Sequence, residues 1–159
     1  MSNNAFITFT GIKGESGDDT HKEWTAVHVF ELGMTNEVST NTQSSGLSSG
    51  IVTVPGITVG LFFDKSCISL SNYLTIGKHI KEVKIEVMRQ GGENVLWHSI
   101  VMTNVMVAST SLGFSFDQYI STVKLAFQTH KESYYPLDFT GKKGAEVTYG
   151  WDSFAHKPL

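Results

Sequence analysis

Three groups of residues carry side chains suited to chemistry. The first is the acidic loop Glu15, Ser16, Asp18, Asp19, Thr20, His21 and Glu23. Its crowded carboxylates offer the oxygen donors that a hard cation such as Ca²⁺ takes. The spacing is not the D-x-[DN]-x-[DN]-G pattern ending in Glu, so the segment reads first as a polar turn between two strands. A metal-dependent reaction built on Glu15–Glu23 is the competing reading. The second group is Cys67, which follows Asp64-Lys65-Ser66 at the expected start of a helix, where the helix dipole lowers a thiol pKa. No histidine is marked out as its base, so a buried structural thiol is the reading. The third group is the six histidines, His21, His28, His79, His98, His130 and His156. None has metal-ligand spacing, and neither HExxH nor CxxC occurs. Ser16 and Ser66 lack a G-x-S-x-G setting, and Gly11–Gly14 forms no phosphate-binding loop. No cofactor, metal or catalytic residue is assigned, and the chain reads as a non-enzyme.

Strands must position these residues. Trp24 to Leu32 places Trp24, Ala26, His28, Phe30 and Leu32 on one face, and the bulk of that face predicts that it meets the core. Thr25, Val27, Val29 and Glu31 fall on the other face. Val83, Ile85 and Val87 alternate with Glu82, Lys84 and Glu86. Val123, Leu125 and Phe127 alternate with Lys124, Ala126 and Gln128, and Val147, Tyr149 and Trp151 with Thr148, Gly150 and Asp152. Phe6 to Ile12 and Ile51 to Phe63 complete the strands, the latter split by Pro55-Gly56 at a bend or an edge. Gly91-Gly92 predicts a hairpin. One helix is expected over Lys65 to Ile76, capped by Asp64 and ended by Gly77, with Cys67, Leu70 and Tyr73 or Leu74 toward a sheet. Two long loops remain: the Ser/Thr-rich Gly33–Gly50 segment, read either as a disordered surface loop or as a functional arm that carries contacts, and Tyr135–Ala145. The fold class is mainly β with one short α-helix packed on the side.

The 159 residues suit one domain, 1–159, with hydrophobic content of 40% and a net charge of -3. The longest basic run, Lys142-Lys143, is too short to displace phosphate counterions, so no nucleic acid is expected. One cysteine forms no intrachain disulfide and fits a reducing cytoplasm. The most apolar stretch, Val95 to Ala108, is interrupted by His98, Ser99, Thr103 and Asn104, so no membrane insertion is expected. Met1-Ser2-Asn3-Asn4 carries no basic leader, so export, if it occurs, uses no ordinary cleaved signal.

Ordered short signatures span the chain: Ile12-Lys13-Gly14-Glu15-Ser16 with Asp18 and His21, Gly33-Met34, Asp64-Lys65-Ser66, Gly77-Lys78-His79, Gly91-Gly92-Glu93-Asn94 and Tyr149-Gly150-Trp151. In this order the chain resembles the haemolysin-coregulated protein (Hcp) family, the tube protein of the type VI secretion system. It departs from the family pattern at Ile68, where a proline is common, at Pro55-Gly56, and in the Ser/Thr-rich arm. The resemblance implies a compact β-barrel or sandwich of two antiparallel sheets with one helix on the side. It further implies homohexameric rings that stack into a hollow tube resembling a phage tail tube. Spike, sheath and baseplate proteins are the implied partners, with small effectors carried in the lumen. Assembly in the bacterial cytoplasm and secretion into the extracellular space or a target cell follow, and the lack of a toxin segment after residue 159 marks the plain tube form. On this basis Thr25, Val27, Val29 and Glu31 are the expected lumen face. Met34, Asn36, Glu37, Asn41, Gln43 and Leu47 are the expected ring-stacking residues. A monomeric ligand-binding β-domain is the other alternative.

Overall fold

The computed structural model describes residues 3–40, 46–91 and 93–159. In chain order it contains β1 (Asn3–Phe9), β2 (Thr25–Leu32), β3 (Thr35–Asn36), β4 (Ser39–Thr40), β5 (Leu47–Ser48), β6 (Val52–Thr53), β7 (Ile57–Phe62) and α1 (Lys65–Ile76). β8 (Ile80–Gly91), β9 (Glu93–Ser115), β10 (Gln118–Tyr134), β11 (Val147–Asp152) and β12 (Lys157–Pro158) follow. The main sheet runs β12-β11-β10-β7-β2-β1-β8-β9, and β9 also pairs with β10. The strands from β10 through β9 in that order therefore close into a barrel, while β11 and β12 form a wing. Every pairing is antiparallel. Of the two expected architectures, a barrel and a two-sheet sandwich, the barrel is the one formed.

Alternation directs the core. Val83, Ile85 and Val87 on β8, and Val123, Leu125 and Phe127 on β10, point inward with Ile7, Ile57, Leu61, Ile100 and Met102. The outward partners Glu82, Lys84, Lys124 and Ala126 keep solvent contact. Pro55-Gly56 makes the bend rather than an edge, because β7 is paired on both sides, with β2 and with β10. Gly56 has φ 118°, and a Cβ there would lie 2.3 Å from the Leu125 carbonyl oxygen, so the bend requires glycine.

On β2 the expected register holds only at the far end. Thr25 and Val27 are buried, and His28 is exposed. The pairing with β7 slips between Val27 and Val29, and the extra residue reverses the parity. Beyond the bulge, Phe30 and Leu32 pack on the core as expected, while Val29 and Glu31 face out. Bulk alone misplaced the first half of the strand.

Helix α1 has the expected bounds. The Asp64 carboxylate accepts from Ser66 N at 2.9 Å, and Gly77 closes the helix at φ 66°. Cys67 and Leu70 are buried, Tyr73 and Leu74 pack against the core, and the helix lies against β9. Gly91 stands opposite Glu93 in the β8–β9 hairpin; Gly92 lies outside the described residues. The sequence reading missed a second hairpin. Ser115 pairs with Gln118, and the turn residues Phe116 and Asp117 have φ 50° and 60°. No Asn-Gly pair marks this turn, so the usual signal was missing.

Replacing Asp64 with Ala removes the cap and is expected to cost about 1 kcal/mol. Urea unfolding should show a lower midpoint with an unchanged slope.

Candidate functional site

The acidic loop joins β1 to β2 and folds back on itself. Gly14 N donates to Glu23 O at 2.6 Å, Ser16 N to Trp24 O at 2.9 Å, and Glu23 N to Ser16 O at 3.0 Å. A Cβ on Gly14 would lie 2.4 Å from the Trp24 carbonyl oxygen, so this return needs glycine. His21 sits in the centre, buried at 1% exposure. Its ring stacks on Phe6 at 4.5 Å and meets Trp24 edge-on at 4.7 Å. Nδ1 is 2.8 Å from Asp18 Oδ2, and Nε2 is 2.8 Å from Glu86 Oε2. The hydrogen bond with His21 holds the Asp18 carboxyl below the usual carboxylate range. Glu15 is committed elsewhere: its carboxylate accepts from Lys65 N at 3.1 Å, while Glu15 N donates to Asp64 Oδ2 at 3.2 Å. Asp18 thus closes on a histidine, Glu15 on the start of α1 and Glu23 on Lys13 at 3.4 Å, so these three carboxylates do not meet at a common point. What the arrangement does is clamp the β1–β2 connection onto β8 and α1. The Glu86 partnership joins residues 65 apart and had no sequence signal.

Cys67 is buried in the first turn of α1. Its Sγ is 4.0 Å from the Phe62 carbonyl oxygen and 4.0 Å from Asp64 Oδ1. Both are acceptors, so the thiol donates and packs, as the structural reading expects. Beside it, Ser66 Oγ and Thr25 Oγ1 share a buried hydrogen bond of 2.7 Å.

The expected lumen face divides. Thr25 and Val27 are interior and leave no surface to line anything, a consequence of the bulge. Val29, at 58% exposure, and Glu31 remain outside. They begin rows that cross the sheet. Glu31 lies beside Thr58, Lys124 and Ser109, and Val29 beside Gly60, Thr122 and Ser111. Except for Gly60, which Val29 covers, these residues are exposed. Along these two rows the outward face of β2, β7, β10 and β9 is mostly polar with small side chains, Val29 apart, and the adjoining row carries Phe62 and Ile120.

The Gly33–Gly50 arm is not the featureless loop its composition suggests. β3 pairs with β6, and β4 pairs with β5, which makes a narrow ribbon. Asn36 braces it, donating from Nδ2 to Ser49 Oγ at 2.9 Å and accepting from Gly50 N at 3.0 Å. Met34, Glu37 and Leu47 are exposed, as is Asn36. Asn41 and Gln43 lie outside the described residues.

At the ribbon's root, the Tyr149 hydroxyl is 3.6 Å from Met34 Sδ and 3.1 Å from His130 Nε2. His98 Nε2 is 3.2 Å from Glu132 Oε1. Burial pushes His130 below its ordinary value, and the His98 hydrogen bond does the same for Glu132. Burial raises the Tyr149 hydroxyl, so it stays protonated. This group fastens β11 to β10 and the arm to both.

A barrel of these strands with a side helix and a projecting ribbon is shared by solved proteins. A structure described as a type six secretion system protein superposes with a TM-score of 0.93 over 99% of this chain and 100% of its own, at 25% identity. Hcp1 from Salmonella typhimurium gives 0.82 over all of both chains, at 26% identity. Protein hcp1 from Pseudomonas aeruginosa is 33% identical over 156 residues, 96% of each chain. The family described as "Type VI secretion system effector, Hcp" matches residues 6–134. The chain belongs to the Hcp family. The matched region holds the Hcp barrel, helix, arm and His21 clamp, while the β11–β12 wing lies beyond it. Among the described residues, no helix of this Hcp protein is long and apolar enough to cross a membrane.

Exchanging His21 for Ala opens a void between Phe6 and Trp24 and strips Glu86 of its partner, at an expected cost of about 3 kcal/mol. Asp18 has a depressed folded-state pKa, so its contribution is complete above the ordinary carboxylate range. It is lost as pH falls through the lower folded value. Urea midpoints of wild type and Asp18→Asn should differ at pH 7 and converge in acid.

Proposed function

We propose that residues 1–159 form one tube domain of a type VI secretion system. Copies join in homohexameric rings, and rings stack head to tail into a hollow tube. The tube is built in the bacterial cytoplasm and exported, with spike, sheath and baseplate proteins as partners and small effectors as cargo.

The observation that carries this reading is the outward face of β2, β7, β10 and β9. An antiparallel sheet needs only one face buried. Here the other carries Glu31, Thr58, Thr122, Lys124, Ser109 and Ser111 beside the exposed Val29 and Phe62, so most of its side chains along these rows are better served by water than by a dry interface. Turned toward the axis of a ring, it makes a wet channel wall. Glu31 and Lys124 flank Thr58 and repeat once per subunit, so each contributes a circle of one charge. Membership of the Hcp family supports the same geometry.

Light scattering and negative-stain imaging test the assembly. A particle of six-subunit mass with a central hole is expected, and a strict monomer at all concentrations would point to a ligand-binding β-domain instead. Glu31→Arg reverses the charge of the channel wall. Rings should persist while the set of co-purified cargo changes; unchanged cargo from intact rings removes Glu31 from that role.

The ribbon supplies a projecting element for ring-to-ring contact, with Met34, Glu37 and Leu47 exposed along it. Deleting residues 38–48 should leave rings and abolish tubes. Tubes of wild-type length from the trimmed protein would assign stacking to another surface.

A further inference from the structure

We propose that the Phe116–Asp117 turn of one copy seats in a cavity beside Arg89 of a neighbouring copy, with the Phe116 ring against Val95, Leu137 and Phe139 and the Asp117 carboxylate on the Arg89 guanidinium. This rests on the self-assembly reading and names a contact that it leaves open.

The cavity, of about 480 Å³, is lined by Arg89, Val95, Leu137 and Phe139, with Glu93, Asp138, Thr140 and Gly141. Arg89 lies over the Trp97 ring at 5.0 Å, which holds its plane. Its Nε is buried and has no hydrogen-bond partner. The guanidinium is nonetheless part of the cavity lining, and a carboxylate brought into the cavity would complement its charge. Neither acidic neighbour supplies it. The Asp138 carboxylate is occupied by Thr140 N at 2.8 Å, Thr140 Oγ1 at 2.6 Å and Lys142 N at 3.0 Å. Glu93 is exposed and forms no ion pair with Arg89. Phe139 is fully exposed, with an aromatic ring left in water at the cavity wall.

The turn has matching chemistry. Phe116 is 98% exposed, and it and Asp117 hold positive φ, the conformation that Asn-Gly adopts at least cost. A bulky aromatic there gains nothing within its own chain. A locally unfavourable residue kept at an exposed tip points to a role outside the subunit. Its base is stiff: Phe114 packs on Tyr119 at 4.8 Å, and Tyr119 on Phe63 at 5.3 Å. Turn and cavity stand at opposite ends of β9, which runs from Glu93 to Ser115. No copy fills its own cavity. The contact is head to tail, the type from which closed rings and open stacks are both made.

A double variant, Phe116→Cys with Phe139→Cys, tests the contact; Cys67 is buried. Mild oxidation should give a ladder of disulfide-linked oligomers on a non-reducing gel, whereas each single variant gives a dimer at most. A ladder that stops at the ring's subunit number places the contact within rings, and a longer one places it between them. Particles of ring mass with no ladder overturn the contact and leave the ring reading standing. Monomers at every concentration with no ladder overturn both. In a second arm, Phe116→Asn with Asp117→Gly should keep or raise the melting temperature and raise the concentration needed for assembly at least tenfold. Asp117→Arg should fail likewise and recover when combined with Arg89→Asp. Assembly of the Asn-Gly variant at the wild-type concentration, or no recovery in the charge-swapped pair, rejects the proposal.

Discussion

The continuous pairing of β9 with β10 is the constraint on which the rest depends. β10 runs from Gln118 to Tyr134 and keeps β9 on one side over almost its whole length. Its other side is shared: Ile120 to Leu125 hold β7, and Thr129 to Tyr134 hold β11. One long strand therefore closes the barrel and carries the wing. Closure hides the backbone edges that would otherwise template unwanted pairing. It also sets the outward face, because the parity of β10 decides that Thr122 and Lys124 look out where Val123 and Leu125 look in.

Closure leaves the long connections to be fastened, and polar side chains do this. His21 draws Asp18 and Glu86 together, while Glu15 donates from its backbone to Asp64 and accepts from Lys65 N at the start of α1. On the far side, Tyr149, His130 and Met34 tie the arm to the wing. Residues that looked like candidates for chemistry are absorbed by anchoring. Where such contacts are desolvated, as at His21 and His130, they hold a unique arrangement because each group left unpaired is costly.

Much of this was legible in the chain because it rests on local rules. The helix from Lys65 to Ile76 follows from a capping Asp64 and a closing Gly77. The inward sets on β8 and β10 follow from alternation of Val, Ile and Leu with charges. The Hcp resemblance was carried by turn and cap residues, which are the positions where backbone geometry restricts the choice. What escaped depended on partners distant in sequence or on turns without a marker. Thr25 and Val27 looked like a secondary face because nothing in β2 announces a bulge. The arm composition spoke for looseness, yet the Asn36 amide braces a ribbon through Ser49 and Gly50. The Phe116–Asp117 turn was hidden because Phe116 is a poor turn former and no glycine follows Asp117.

The slip between Val27 and Val29 gives one strand two independent assignments. Upstream, Thr25 and Val27 answer to the barrel interior; downstream, Val29 and Glu31 answer to whatever passes outside. Without the extra residue, one parity would serve both ends, and any change in surface chemistry would share its reading frame with the core. With it, the outward half of β2 can drift in charge and size while the inward half stays fixed. A one-residue irregularity thus lets the surface diversify without renegotiating the fold.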